Sequence, residues 1–302
     1  MTGDAPTERR DPRYDRIDRL GTEELARLMN AADATVPAAV AGAIPAISAA
    51  IDAVVARMRA GGRLLYVGAG TSGRLAVLDA AECPPTFGTD PGLVQGVIAG
   101  GEPALSRAVE GAEDDAEAGT GAIADRRVGA LDAVVGVSAG GGAPFVLAAL
   151  TEAGRRGALT VALTCNTGTA LSRAARHPIE VVVGPEVVAG STRLRAGTAQ
   201  KLVLNMISTI TMVRLGRTHG GSMVEMTVTN AKLAGRAVRM VGDLTGVSPQ
   251  EARAALEASG WRVKTAVLVA ERGGGPRGGP PPRGPPRGGR PPPPPGGAPP
   301  GY

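Results

Sequence analysis

A chain of 302 residues with 43% hydrophobic content is long enough to bury one substantial core and a smaller second one. Aromatic residues make up only 2%, which leaves the packing to Ala, Val and Leu and argues against stacking platforms for single-stranded nucleic acid. The formal charge of +5 is carried by Arg272, Arg277, Arg283, Arg287 and Arg290 near the C-terminus; the remainder is neutral, so no nucleic-acid binding by the folded body is expected.

Residues Thr2 to Arg19 are charged and lack the apolar stretch of a secretory signal, and no later apolar run is long enough to span a bilayer. A cytoplasmic protein without membrane contact is expected. From Thr22 to Met58 the apolar spacing predicts a helical arm, with Thr22 as N-cap and Glu23 and Glu24 in the first turn, where the helix dipole favours carboxylates. Short apolar runs at Leu64–Val67, Leu93–Ile98, Ala133–Val137, Leu159–Leu163 and Ile179–Val183 alternate with helical segments. That alternation predicts an α/β fold with a parallel five-stranded sheet covered by helices on both faces. A longer amphipathic helix, Ala199 to Leu215, closes the domain.

After Gly220 the pattern is helical again. Ser248-Pro249 reads as a cap with proline in the first turn, followed by Ala254 to Ala258 and Val263 to Val269. Beyond Glu271 the chain is almost wholly Gly, Pro and Arg, has no apolar content to offset chain entropy, and is expected to be disordered. A native proline-rich tail and a shifted reading frame in GC-rich coding sequence would both give this composition. The expected division is an arm over 1–50, the α/β domain over 51–215, a helical domain over 216–270 and the tail over 271–302. Cys83 and Cys165 are too few for a disulfide framework and read as reduced thiols. His177 and His219 lack the ligand spacing of a zinc site, so no metal is expected, and His177, before Pro178, reads as a loop residue.

The densest motif is Tyr66-Val67-Gly68-Ala69-Gly70-Thr71-Ser72-Gly73-Arg74. An apolar run enters a glycine and hydroxyl turn that opens a helix, an arrangement that offers backbone N–H groups and hydroxyls to a phosphate. Alone this is a weak signal, since many such turns bind nothing. The run resembles the sugar isomerase (SIS) domain. With four further blocks, Asp79 to Phe87, Gly100 to Asp115, Gly184 to Met206 and Thr229 to Leu233, the chain from about Thr7 to about Ala270 is similar to the N-acetylmuramic acid 6-phosphate etherases. The C-terminal helices resemble the small ubiquitin-associated type of domain found there, in a packing role.

The resemblance implies a SIS-type fold and a cofactor-independent lyase. It would convert N-acetylmuramic acid 6-phosphate to N-acetylglucosamine 6-phosphate and D-lactate in cell-wall amino sugar recycling. It also implies a homodimer with the site near the subunit interface. The chemistry removes the proton on C2 of the open-chain sugar, expels the lactyl ether oxygen from C3 and adds water, which calls for two acid/base groups. Glu82, ahead of a Pro84-Pro85 pair expected to stop its helix, would ordinarily be a surface glutamate; by resemblance it is the proton donor. Glu113, on an expected helix in the acidic cluster Glu110, Glu113, Asp114 and Asp115, would ordinarily belong to a solvated face; by resemblance it is the second catalytic glutamate, working on C2.

For the phosphate, Gly70, Thr71, Ser72 and Gly73 form the first turn, with the two glycines allowing close approach. The resemblance adds Ser138 in a second loop and Ser191, Thr192, Thr198, Gln200 and Lys201 at the start of a helix, with Arg193 and Arg195 to balance charge. One departure stands out. Where these relatives usually read Ser-Ala-Ser-Gly-Arg-Thr-Pro, this chain has Ser138-Ala139-Gly140-Gly141-Gly142-Ala143-Pro144. Losing one charged hydrogen bond and two hydroxyls removes about 1 to 3 kcal/mol of binding each. A non-catalytic phosphosugar sensor, as in glucokinase regulatory protein, is the alternative that this loop favours, whereas both glutamates favour the enzyme. An aldose-ketose isomerase shares the fold but leaves the Glu-Cys-Pro-Pro block unexplained.

Overall fold

The computed structural model describes residues 5–226, 228 and 230–273. The tail expected over 271–302 lies outside the described residues except for 271–273, which end the last helix. The helical arm expected over Thr22 to Met58 consists of three helices, α1 (Thr22–Asp33), α2 (Val36–Gly42) and α3 (Ile44–Arg59). Pro37 and Pro45 sit in the first turns of α2 and α3, where a residue without an N–H loses no helical hydrogen bond. Thr22 is the first helical residue rather than the cap, which is Gly21. Helix α3 runs through residue 50 and buries Ile47, Ile51 and Val54, so its whole length packs with the central domain.

The central domain continues β1 (Leu64–Gly68), α4 (Gly70–Phe87), β2 (Val94–Ile98), α5 (Pro103–Ser106), α6 (Ala116–Asp125), β3 (Ala133–Val137), α7 (Pro144–Arg155), β4 (Leu159–Thr164), α8 (Ala170–Ala174), β5 (His177–Glu180) and α9 (Arg195–Arg214). The strands form one all-parallel sheet in the order β2-β1-β3-β4-β5. Because side chains alternate across a strand, Leu64 and Tyr66 pack with α3, α4 and α9, while Leu65 and Val67 pack with α6, α7 and α8. Burial on both faces is why these strands read as unbroken apolar runs. Strand β5 begins two residues earlier than expected and contains His177, which pairs with Val161; the expected loop is a strand. Its Pro178 is tolerated because β5 is an edge.

Helix α9 also starts earlier than expected, at Arg195 rather than Ala199. The Glu186 carboxylate, 1% exposed, accepts the N–H groups of Arg195 (3.0 Å) and Ala196 (2.9 Å), satisfying donors that every helix start leaves open. The buried Arg195 guanidinium donates to the Pro185 carbonyl (2.8 Å) and to Thr35 Oγ1 (2.6 Å), tying the arm to α9.

The C-terminal helices α10 (Ala231–Thr245), α11 (Pro249–Ala258) and α12 (Val263–Gly273) share a separate core that includes Ala237, Val241, Leu256 and Val263. Ser248 caps α11 as expected, in a capping box with Glu251.

Candidate active site

In an open parallel sheet, ligands bind beyond the carboxyl ends of the strands where the strand order reverses, here between β1 and β3. A cavity of about 1020 Å³ lies at that point, lined from the loops after β1, β2, β3 and β4. Ala69 to Ser72 follow β1, Glu113 and Asp114 follow β2, Ser138 to Pro144 follow β3, and Asn166, Thr167 and Thr169 follow β4.

The two glycine-containing loops converge on this cavity. Gly70, at φ +51°, is the first residue of α4, and a Cβ there would meet nothing within 4 Å. Thr71 lines the cavity beside it. Ser72 also lines it, yet its hydroxyl donates to Gln200 Oε1 at 2.9 Å, so one of its hydrogen bonds holds α4 to α9. Gly73 does something different from the expected phosphate contact. A Cβ on it would stand 2.6 Å from Ile98 Cγ1 and 2.8 Å from the Gly68 carbonyl oxygen, so it lets α4 seat on the sheet.

In the second loop Ser138 Oγ accepts the Gly141 N–H at 3.1 Å. Gly141, at φ +73°, leaves only 2.4 Å between an ideal Cβ and Thr169 Cβ, so no other residue fits there. Gly140 and Gly142 are open, with nothing within 4 Å of a Cβ and no unusual φ. Gly142→Arg is therefore expected to lower KM for a phosphorylated substrate by about tenfold through one charge-assisted hydrogen bond. Initial-rate kinetics check this, and an unchanged KM would mean that an arginine here does not reach the substrate.

Glu113 faces the same cavity, though on a single 3-10 turn, Ala112–Asp114, rather than on the expected helix. Asp115 explains the break: its side chain accepts the Ala118 N–H and caps α6, so the helix starts only after Glu113. Glu110 precedes Gly111, at φ +72°, so it is not on a helix one turn from Glu113.

Glu82 lies elsewhere. Helix α4 does not stop at the proline pair; Pro84 and Pro85 sit in its last turn, which ends at Gly88 in the left-handed conformation. At about 1.5 Å per residue, Glu82 is about 18 Å along α4 from Gly70, further than a sugar phosphate reaches. It lines a smaller groove of about 170 Å³ between α4 and α9, with Leu75, Leu78, Asp79, Lys201, Leu204 and Asn205. Lys201 is therefore with Glu82 and not at the phosphate turns.

Of the other expected contacts, Thr192 lines the main cavity. Ser191 is half-buried outside its lining, and Thr198 is exposed and donates to the Leu194 carbonyl. Gln200 is 1% exposed and engaged by Ser72. Arg193 is exposed outside the lining, and Arg195 is buried under α9, where Glu186 already occupies the helix start. Composition could not reveal this: the cap at Glu186 takes the place an incoming anion would use.

Three features were missed. Asp79, one turn before Glu82 on α4, is 6% exposed, and its Oδ1 accepts hydrogen bonds from Asn205 (2.8 Å) and Ser208 (3.1 Å) of α9. Burial pushes its carboxyl above the ordinary carboxylate range, against the lowering effect of those two bonds. It fixes the wall on which Glu82 stands. The second is the segment Ala5 to Arg9, which lines the main cavity far in sequence from every other wall. Third, Asn166 joins that segment to the glycine loop, bonding Thr7 and the Gly140 carbonyl. A polar residue two positions after the last residue of β4 was the available signal. Burial pushes the Cys83 and Cys165 thiols up to about 12, so neither is a nucleophile near neutral pH.

Comparison with known proteins agrees with this architecture. Residues 46–153 match the model for the glucokinase regulatory protein N-terminal SIS domain, and residues 118–210 match the SIS domain. The chain is 59% identical over 266 residues to an N-acetylmuramic acid 6-phosphate etherase of Rubrobacter xylanophilus, covering 88% of each chain. It is 56% identical over 262 residues to one of Streptomyces avermitilis, covering 87% of this chain and 84% of that one. A solved phosphoheptose isomerase from Francisella tularensis aligns with a TM-score of 0.50 at 20% identity, over 64% of this chain and all of its own, a likeness of fold alone. Among the described residues no single helix is long and apolar enough to cross a membrane.

Proposed function

Since the chain belongs to the N-acetylmuramic acid 6-phosphate etherase family and is a carbon-oxygen lyase of amino sugar recycling, we propose a division of its chemistry between two surfaces of a homodimer. The main cavity takes the sugar phosphate, with Gly70, Thr71, Ser72, Ser138 and Thr192 about the phosphate and Glu113 over the sugar. Glu82 of the partner subunit reaches the same sugar from its groove between α4 and α9. Cytoplasmic residence suits this reading, since both cysteines are free and buried.

The observation that carries it is the separation of the glutamates. Two groups that must act on adjacent carbons line different cavities of one protomer, and Glu82 stands about three helical turns along α4 from the Gly70 turn that opens the cavity lined by Glu113. The face around Glu82 also exposes Leu78 at 53%, an apolar neighbour that suits burial against a second copy. Residues 51–215 then carry both glutamates and the phosphate loops, while residues 5–9 of the arm add to the cavity wall.

In the reaction Glu113, as carboxylate, takes the C2 proton made acidic by the C1 aldehyde. Glu82 of the partner subunit, as carboxylic acid, protonates the lactyl oxygen as its bond to C3 breaks, leaving a C2–C3 double bond. Water then adds its oxygen at C3 and a proton returns to C2, giving N-acetylglucosamine 6-phosphate and free D-lactate. One carboxyl must be ionised and the other protonated at the start. The test is incubation of the purified protein with N-acetylmuramic acid 6-phosphate, following D-lactate; binding without release would instead support a phosphosugar sensor.

A further inference from the structure

The main cavity contains three carboxylates, Glu8, Glu113 and Asp114, and among the described residues lining it the one cationic side chain is Arg9. Even with that guanidinium counted the walls are net negative, so a phosphate dianion entering the site is attracted only where it sits against Arg9. Arg9 does not come from any strand loop of the sheet. It belongs to a short turn in which the N–H groups of Glu8 and Arg9 both donate to the Ala5 carbonyl.

This turn is held in place. Thr7 is fully buried, its N–H donates to Asn166 Oδ1 at 3.2 Å, and Asn166 Nδ2 donates back to Thr7 Oγ1 at 2.9 Å. The same Asn166 amide reaches the Gly140 carbonyl at 3.4 Å, so the segment is coupled to the second glycine loop. On the far side, Glu8 Oε2 lies 3.5 Å from where a Cβ on Gly190 would stand. Residues 5–9 thus span from the loop after β4 to the turn before α9.

Resting on the lyase reading, we infer that residues 5–9 form a strap that is part of the substrate site, and that Arg9 is the counter-ion of the sugar phosphate in a cavity whose glycine loop carries no cation. Arg9 lines the cavity, its turn is anchored by the reciprocal Thr7–Asn166 pair, and it is the one cation among the described lining residues. Planar guanidinium suits the recognition of phosphate oxygens by paired hydrogen bonds.

The test is steady-state kinetics of D-lactate release by full-length Arg9→Ala and Arg9→Lys, with wild type in the same assay so that a failure of the lyase reading is seen separately. Arg9→Ala is expected to raise KM by about 10- to 100-fold while kcat changes by less than about threefold. Lysine should recover part of the loss. Inhibition by N-acetylglucosamine 6-phosphate should weaken by the same factor, with inhibition by D-lactate unchanged. Thr7→Val, which removes the anchor's hydroxyl but keeps its shape, should move KM in the same direction and add little on top of Arg9→Ala. An unchanged KM in Arg9→Ala, a loss confined to kcat, or a weakening of D-lactate inhibition alone would each overturn the assignment.

Discussion

Glu113→Gln is expected to lower kcat for D-lactate release by about 10²- to 10⁴-fold, and Glu82→Gln to do the same. Both side chains are exposed on the described chain, Glu113 on its 3-10 turn and Glu82 on α4. An isosteric amide at either position should therefore leave the melting temperature almost unmoved. The two losses differ in kind. Without the base at Glu113, C2 keeps its hydrogen and substrate recovered from deuterium oxide carries no label. Without the acid at Glu82, the C2 proton still leaves and returns while the lactyl ether stays in place, so recovered substrate becomes labelled. Release at the wild-type rate in either variant would sink the assignment of that glutamate. Labelling in Glu113→Gln but not in Glu82→Gln would reverse the roles.

The sheet was legible because burial on both faces imposes unbroken runs of Val, Leu and Ala, as in Ala133–Val137, where every residue is buried. The glycine turn at the end of β1 was legible for a similar local reason: the strand, the turn and the helix start are contiguous. What was not legible involved partners distant in sequence. Helix α9 begins at Arg195 because a carboxylate nine positions earlier caps it, and Thr7 matters because it meets Asn166, which is 159 positions away. Gly73 read as a phosphate contact, since a glycine needed for close packing against Ile98 and one needed for a ligand look identical in sequence.

The proline pair shows a different failure. Proline costs a helix its N–H and crowds the preceding turn, so Pro84-Pro85 read as a stop. The structure places both in the last turn of α4, and the Gly88 N–H closes that turn on the Pro84 carbonyl at 2.9 Å. The consequence for function is direct. With the helix continuing, Glu82 stands one turn after the buried Asp79, lines a groove with Lys201 and lies about 18 Å along α4 from Gly70. A loop at Glu82 would have allowed the carboxylate to fold back to its own cavity; a continuous helix does not.

That placement makes mixing the two inactive variants the most direct measurement. Glu82→Gln and Glu113→Gln subunits are each expected to be inactive alone, but a dimer of one with the other contains one site with both glutamates intact. After denaturation and refolding of an equal mixture, about half of the dimers are hybrids with one competent site of two, so about a quarter of wild-type D-lactate release is predicted. Activity no greater than that of the separate variants, in a mixture shown to contain the hybrid, would contradict a site shared between subunits.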